Sequence, residues 1–238
     1  MARAETLARA RKLDRPDLAY IVRFAAADGV KDMELTRTEL ADDASWVSAR
    51  LAEHGLSAGK RALITASGYE GFWVHAVIKG LGALRVPYGI AEGMGWDYRR
   101  AGVFQRELRP DAVIGLTAET LEGLAGTADL AETFRATSLI LARPDALPVL
   151  RGAGVPAFVM TTVGPALALE CPDRSGAHVD SGAWRLSEED GHLSIAAGER
   201  RRSALAPTPL GIAGRVVTGR CACGNEDPRV LPANANQY

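Results

Sequence analysis

RALITASGYEGFWVHAVIKGLGALRVPYG, residues 61–89, reads as strand, helix and strand in succession. Arg61 to Ala66 is a short apolar run closed by Ser67-Gly68, the pattern of a strand buried on both faces. Tyr69 to Gly80 keeps apolar residues at helical spacing, Gly80 and Gly82 turn the chain, and Leu84 to Pro87 begins a second strand.

The same alternation continues downstream. Trp96 to Leu108, Ala118 to Gly126 and Pro144 to Gly152 read as helices, and Ala112 to Leu116, Ser138 to Ala142 and Ala157 to Val163 as strands. Upstream, Glu34 to Leu56 reads as a helix entered through Thr36 or Thr38. Thr36 and Glu39 have capping-box spacing, Trp46, Val47, Leu51 and Leu56 form the apolar stripe, and Gly55 suits the stop. Strands and helices alternating at this pitch predict an α/β fold, a parallel sheet flanked by helices, over residues 1–164. The texture changes over residues 165–238, which read as a smaller β-rich region. Leu167 to Glu170, His178 to Leu186 and Leu193 to Ile195 are expected strands, and Glu189-Asp190-Gly191 is a hairpin turn. Arg200 to Gly214 reads as loop, and the tail from Asp227 to Tyr238 as frayed.

With 238 residues, 47% of them hydrophobic and 24% charged, the chain can bury a sizeable core. A net charge of -1 gives no field to recruit nucleic acid or an anionic membrane, and Arg200-Arg201-Arg202 reads as a solvated face. No apolar stretch is long enough for a membrane span. The Arg-rich start lacks a signal peptide's apolar block, and its Leu7, Leu13 and Leu18 fit a helix better, so a cytoplasmic location is expected. Four lysines against twenty-four arginines, with abundant alanine, suggest a bacterial, GC-rich origin. Oligomeric state is left open, a homo-oligomer being compatible.

Three cysteines do not make a disulfide framework. Cys171, His178, Cys221 and Cys223 together supply three thiolates and an imidazole, a set suited to a closed tetrahedral zinc site that would clamp the β-rich region. His192 is an alternative fourth ligand. The competing reading is three unrelated core thiols and a surface histidine.

Three stretches carry a family resemblance. VHAVIKGLGALRVPYG (Val74 to Gly89), with LRPDAVIGLTAETLEGLA after it, resembles the phenylacetate–CoA ligase segment in which a Phe-His pair opens a helix ending Leu-Gly-Ala before a strand ending in proline. GPALALECPDRSGAHV (Gly164 to Val179) resembles that family's Gly-Pro-x-x-Ala-x-Glu-Cys followed by histidine. TGRCACGNEDPRVL (Thr218 to Leu231) resembles its closing Cys-x-Cys-Gly-Arg signature. Order and approximate spacing hold from Arg23 to Leu231, so the chain resembles the phenylacetate–CoA ligase branch of the adenylate-forming superfamily. All three cysteines fall on these motifs. The resemblance implies the large N-terminal domain of such enzymes, without the swinging C-terminal domain.

It also implies a substrate pocket near His75, with Tyr69, Phe72, Trp73 and Gly164 around it, for a small aryl or acyl carboxylate or its thioester. His75 could act there as acid, base or orienting group, the alternative being an ordinary core histidine among core aromatics. The ATP apparatus departs from the family. Ala25 to Asp32 replaces the hydroxyl- and glycine-rich phosphate loop, keeping Lys31 but adding Asp28 and Asp32. Thr161 stands where the Mg²⁺-binding glutamate belongs, and Leu210 to Arg215 where the ribose-binding aspartate motif belongs. ATP and Mg²⁺ are therefore not expected, nor is ordinary AMP-forming ligation. The expected protein is a repurposed binding module or pseudoenzyme, in a role such as secondary metabolism. An ATP-independent enzyme using His75, and a still-active or split ligase, are the alternatives.

Overall fold

The computed structural model describes residues 17–232. It opens with a β-hairpin, β1 (Leu18–Ala26) and β2 (Gly29–Thr36), that sequence reading missed. Its alternation is clean once seen: Val22, Phe24, Met33 and Leu35 point inward and are buried. Leu18 is strand rather than helix, and Leu7 and Leu13 lie outside the described residues. The hairpin runs straight into α1 (Arg37–Glu53), three residues later than expected, through the capping box of Thr36 and Glu39. Thr36 Oγ1 accepts the Glu39 amide at 3.2 Å, and the Glu39 carboxylate accepts the Thr36 amide at 2.7 Å.

The parallel layer contains β3 (Ala62–Thr65), α2 (Gly71–Ala83), β4 (Tyr88–Ala91), α3 (Tyr98–Leu108), β5 (Ala112–Leu116), α4 (Ala118–Ala125), α5 (Leu130–Phe134), β6 (Leu139–Ala142), α6 (Leu147–Gly152) and β7 (Phe158–Val163). Leu84 to Pro87 is not a strand. Leu84 caps α2 and Arg85 turns the chain with φ 58°, so β4 starts only at Tyr88. Strands β4, β3, β5, β6 and β7 lie side by side in that order and run parallel. Alternate side chains feed two cores. Ile64, Ile114 and Leu141 pack under α1 and α2 with Val47, Leu51, Val77 and Leu81, while Leu63, Val113 and Ile140 pack under α3 to α6 with Leu121, Leu124, Phe134 and Leu150. The result is a doubly wound layer whose winding reverses between β3 and β5.

Gly115 adapts β5 to this crowding. It has φ +91°, and a Cβ there would lie 2.4 Å from the Thr65 carbonyl oxygen and 3.1 Å from the Trp73 ring. Gly115→Ala should therefore cost about 2 kcal/mol or more, combining left-handed strain with a clash against neighbouring backbone. Urea titration would read this as a lower midpoint.

The sheet continues beyond Gly164, whose turn joins β7 to the antiparallel β8 (Ala166–Glu170). β9 (Ala177–His178), β10 (Trp184–Glu189), β11 (His192–Ala197), β12 (Thr208–Val217) and β13 (Arg229–Pro232) complete an 11-stranded sheet in the order β10-β11-β12-β13-β9-β8-β7-β6-β5-β3-β4. The expected hairpin turn is present, with Asp190 at φ 49° and Gly191 at φ 74°. Three expectations are corrected. His178 to Leu186 is two strands separated by a turn, because Asp180 accepts hydrogen bonds from its own loop. Arg200 to Gly214 is not all loop: Thr208 to Gly214 lies in β12, where Gly214 admits Leu193 and the Leu231 backbone to contact that a Cβ would block. Asp227 to Pro232 is not frayed either, since β13 is paired on both sides.

The arginine run also differs from expectation. Arg201 is buried, with its guanidinium 2.7 Å from Asp43 of α1 and 4.3 Å over the Trp184 ring. The Arg202 amide donates to Glu39 at 2.9 Å, so the run fastens the β-rich region to the first helix.

Candidate functional site

Two constellations lie at opposite ends of the parallel strands. At the amino ends, Cys171 follows β8, His178 sits in β9, and Cys221 and Cys223 lie on the loop joining β12 to β13. Their ligand atoms all lie within 4.8 Å of one another. Cys171 Sγ to Cys221 Sγ is 3.8 Å and Cys223 Sγ to His178 Nε2 is 3.5 Å. Zn–S bonds of about 2.3 Å and Zn–N bonds of about 2.0 Å give edges of about 3.8 and 3.5 Å in a tetrahedron, so these two edges have the length a closed site needs. The Asp227 carbonyl lies 3.1 Å from His178 Nδ1, which accounts for Nε2 facing the sulfurs, a usual outer-shell arrangement for a ligating histidine. His192 is exposed, bonded to Asp190, and takes no part.

The thiols influence each other's protonation. Burial opposes ionisation of Cys221, but hydrogen bonds from Ser175 and from Cys223 outweigh it and bring the thiol down to about 6. Cys223 is pushed up to about 12, chiefly by burial and, despite the Asn225 amide, by the neighbouring Cys221 and Cys171 sulfurs. Thiolates this close cannot all ionise without a cation between them. The donor set could hold a metal ion.

At the carboxyl ends a cavity of ≈ 310 Å³ opens beside the reversal of winding between β3 and β5, where parallel sheets usually receive ligands. Ser67, Thr117 and Arg143 each stand within two residues of a strand's end and line it. Glu70 organises the floor: its carboxylate accepts the Ser67 amide at 2.9 Å, Trp73 Nε1 at 3.2 Å and the Arg143 guanidinium. Arg143 also lies 5.0 Å over the Trp73 ring, and its buried Nε has no hydrogen-bond partner among the described residues. Thr117 caps α4 and donates to the Gly93 carbonyl at 2.9 Å, while Glu119 accepts the Gly95 amide, also at 2.9 Å. Arg143, paired with Glu70, is the cationic side chain of a lining that also includes Glu119 and Asp145. Sequence reading missed Glu70, Thr117 and Arg143, although their positions just after expected strands were a usable signal.

Of the five expected pocket residues, Tyr69 and Phe72 line one cavity beside the hairpin and Phe72 and Trp73 line another, but all five do not share one. Tyr69 also lines the carboxyl-end cavity and is 81% exposed. Trp73 is buried beneath Arg143, and Phe72 is half-buried against the hairpin. His75 is exposed on α2, where Nδ1 is bonded to the Tyr20 hydroxyl and lies 3.0 Å from the Gly71 carbonyl. Gly164 sits at the β7–β8 turn against Leu210 and Phe24. Ala25 to Asp32, the segment compared with a phosphate loop, forms the turn of the hairpin. Arg23 and Asp32 pair across it at 2.7 and 2.8 Å, and Lys31 is held by Asp28 at 2.7 Å. Thr161 lies in β7, and Leu210 to Arg215 in β12.

No family model matches the chain, and no curated protein matches it. Solved structures do. The fold is similar to that of 2-hydroxyisobutyryl-CoA ligase in the postadenylation state, with TM-score 0.67 and 12% identity over 92% of this chain and 52% of that one. An ATP-bound RpMatB-BxBclM chimera gives 0.58 and 12% over 90% and 48%. The anthranilate CoA ligase AuaEII with anthranoyl-AMP gives 0.58 and 10% over 92% and 49%. Architecture and neighbours together identify the fold as resembling the N-terminal domain of adenylate-forming CoA ligases, of whose solved chains this one spans about half.

Proposed function

We propose that the chain is a repurposed relative of the phenylacetate–CoA ligase branch that binds a small aryl or acyl carboxylate, or its thioester, without ATP-driven adenylation. The order of the three sequence motifs supports the branch. The observation that carries the loss of adenylation is the hairpin at the phosphate-loop position. A loop that cradles a triphosphate needs free backbone amides and hydroxyls, whereas Arg23 to Ala26 and Gly29 to Asp32 are committed to strand pairing and Lys31 to Asp28. The carboxyl-end cavity is the proposed ligand site, with Arg143 meeting the acid or thioester carbonyl and Tyr69 covering it. Zinc is the proposed ion of the Cys/His cluster. Four protein ligands leave no open position, so its role is structural.

The purified chain should show no acid-dependent ATP–pyrophosphate exchange with benzoate, phenylacetate or short acyl acids. It should be stabilised by at least one of these acids or its CoA thioester in a thermal-shift screen, and Arg143→Ala should abolish that shift. Exchange above background would overturn the loss of adenylation, and a flat screen would overturn the binding role.

A further inference from the structure

A cavity of ≈ 710 Å³ lies at the amino ends of the parallel strands, away from Arg143. It is a groove between α6 on one side and β9 and β13 on the other. We infer that this groove is a second ligand site, for a small amphiphile with an apolar body and a single anionic head group.

The walls define the body. Ala157, Leu231 and Pro232 present half-buried apolar surface over the buried Leu150, Val155 and Val230, and the volume falls within the roughly 300–1,000 Å³ usual for small-molecule pockets. The charges define the head. Arg174 lines the groove as a cationic group beside one carboxyl, Glu170, with Arg151 of α6 at its rim. Glu170 is committed at one oxygen to the Val159 amide, 2.8 Å away.

Arg174 is set in place before any ligand arrives. Its NH1 donates to the Ala157 carbonyl at 2.6 Å and its guanidinium carbon lies 4.0 Å over the Phe158 ring. Its remaining N–H groups have no partner among the described residues. The backbone at Arg174 has φ 53°, a left-handed conformation that costs a non-glycine residue roughly 1 kcal/mol or more. A strained residue with a fixed side chain and open donors at the mouth of an apolar groove is the arrangement an anion clamp requires.

Octanoate, octanol and octylamine serve as probes of one body with three heads. Calorimetry on the full chain should show octanoate binding at least about tenfold more tightly than either of the others, a charge-assisted hydrogen bond being worth roughly that much. Arg174→Gly relaxes the backbone while removing the guanidinium, so the variant should melt close to the parent yet lose about tenfold or more in octanoate affinity. Equal binding of octanoate and octanol, or undiminished binding by Arg174→Gly, would overturn the inference. Methyl resonances supply a test in the unaltered protein, guarding against a variant that fails to fold. Octanoate should shift Leu150, Val155 and Val230, and shifts confined to the Arg143 cavity would refute a second site while leaving the first intact.

Discussion

Replacing Cys223 with serine should remove the metal and lower the melting temperature in one step. Three sulfurs and one imidazole join segments as far apart in sequence as Cys171 and Cys223, and no disulfide shares the task. An ion bound with free metal at about a thousand times Kd adds about 4 kcal/mol to the folded state. For a domain of this size that corresponds to roughly 8–16 °C in Tm. Metal analysis of the native protein should give about one zinc per chain, and Cys171→Ser should behave as Cys223→Ser does. His192→Ala should leave metal and Tm unchanged, since that ring lies outside the cluster. Acidification should release the ion, because each thiol must shed a proton to bind it. Protein that is purified without metal and melts no lower than metal-loaded protein would show the cluster to be four core side chains and nothing more.

Arg201→Met should be the most damaging single change among the arginines. The guanidinium is 3% exposed and lies against Trp184, so its aliphatic replacement preserves much of the packing and tests the charge. What it leaves behind is Asp43, whose carboxyl burial already raises despite Arg201, with Asp180 and Glu39 adding like charge. Removing one partner of such a pair costs about 3–5 kcal/mol. The double variant Asp43→Asn with Arg201→Met should recover most of the loss. The pH dependence follows from the sign. A carboxyl whose folded pKa exceeds its unfolded value binds more protons in the folded state, so its stability contribution is full at low pH and fades as pH rises through the folded value. The deficit of Arg201→Met should therefore narrow on going from neutral to about pH 5. A deficit independent of pH, or a double variant no better than the single, would mean that packing rather than charge is at stake.

The parallel layer was legible because its strands are continuous apolar runs and its helices carry stripes and caps. Ile64, Ile114 and Leu141 announce themselves without neighbours. The Cys/His set was legible because its residue types are scarce in this chain, and the structure brings together the four that chemistry alone had grouped. The opening hairpin was hidden by expectation: Ala25 to Asp32 was read against a phosphate loop, and the alternation of Val22, Phe24, Met33 and Leu35 around it went unused. β12 was hidden by composition. Pro209, Gly211 and Gly214 are breakers in isolation, and only the close approach of Leu193 and Leu231 shows why the strand needs Gly214. Arg201 shows a different limit. A buried guanidinium is indistinguishable from an exposed one until Asp43, 158 residues away, is seen beside it.

The place of β13 has a consequence for how the chain is made. It sits between β9 and β12, and through its pairings at Arg229↔His178 and Val217↔Arg229 it alone joins the β10–β12 strands to the rest of the sheet. About fifty residues separate His178 from its partner Arg229, an interval of about 3–10 s on a translating ribosome. During that time the emerging chain carries an open strand edge at β9 that no earlier segment can close. β9 is only two residues long, which leaves little edge for a neighbouring nascent chain to pair with before Arg229 arrives.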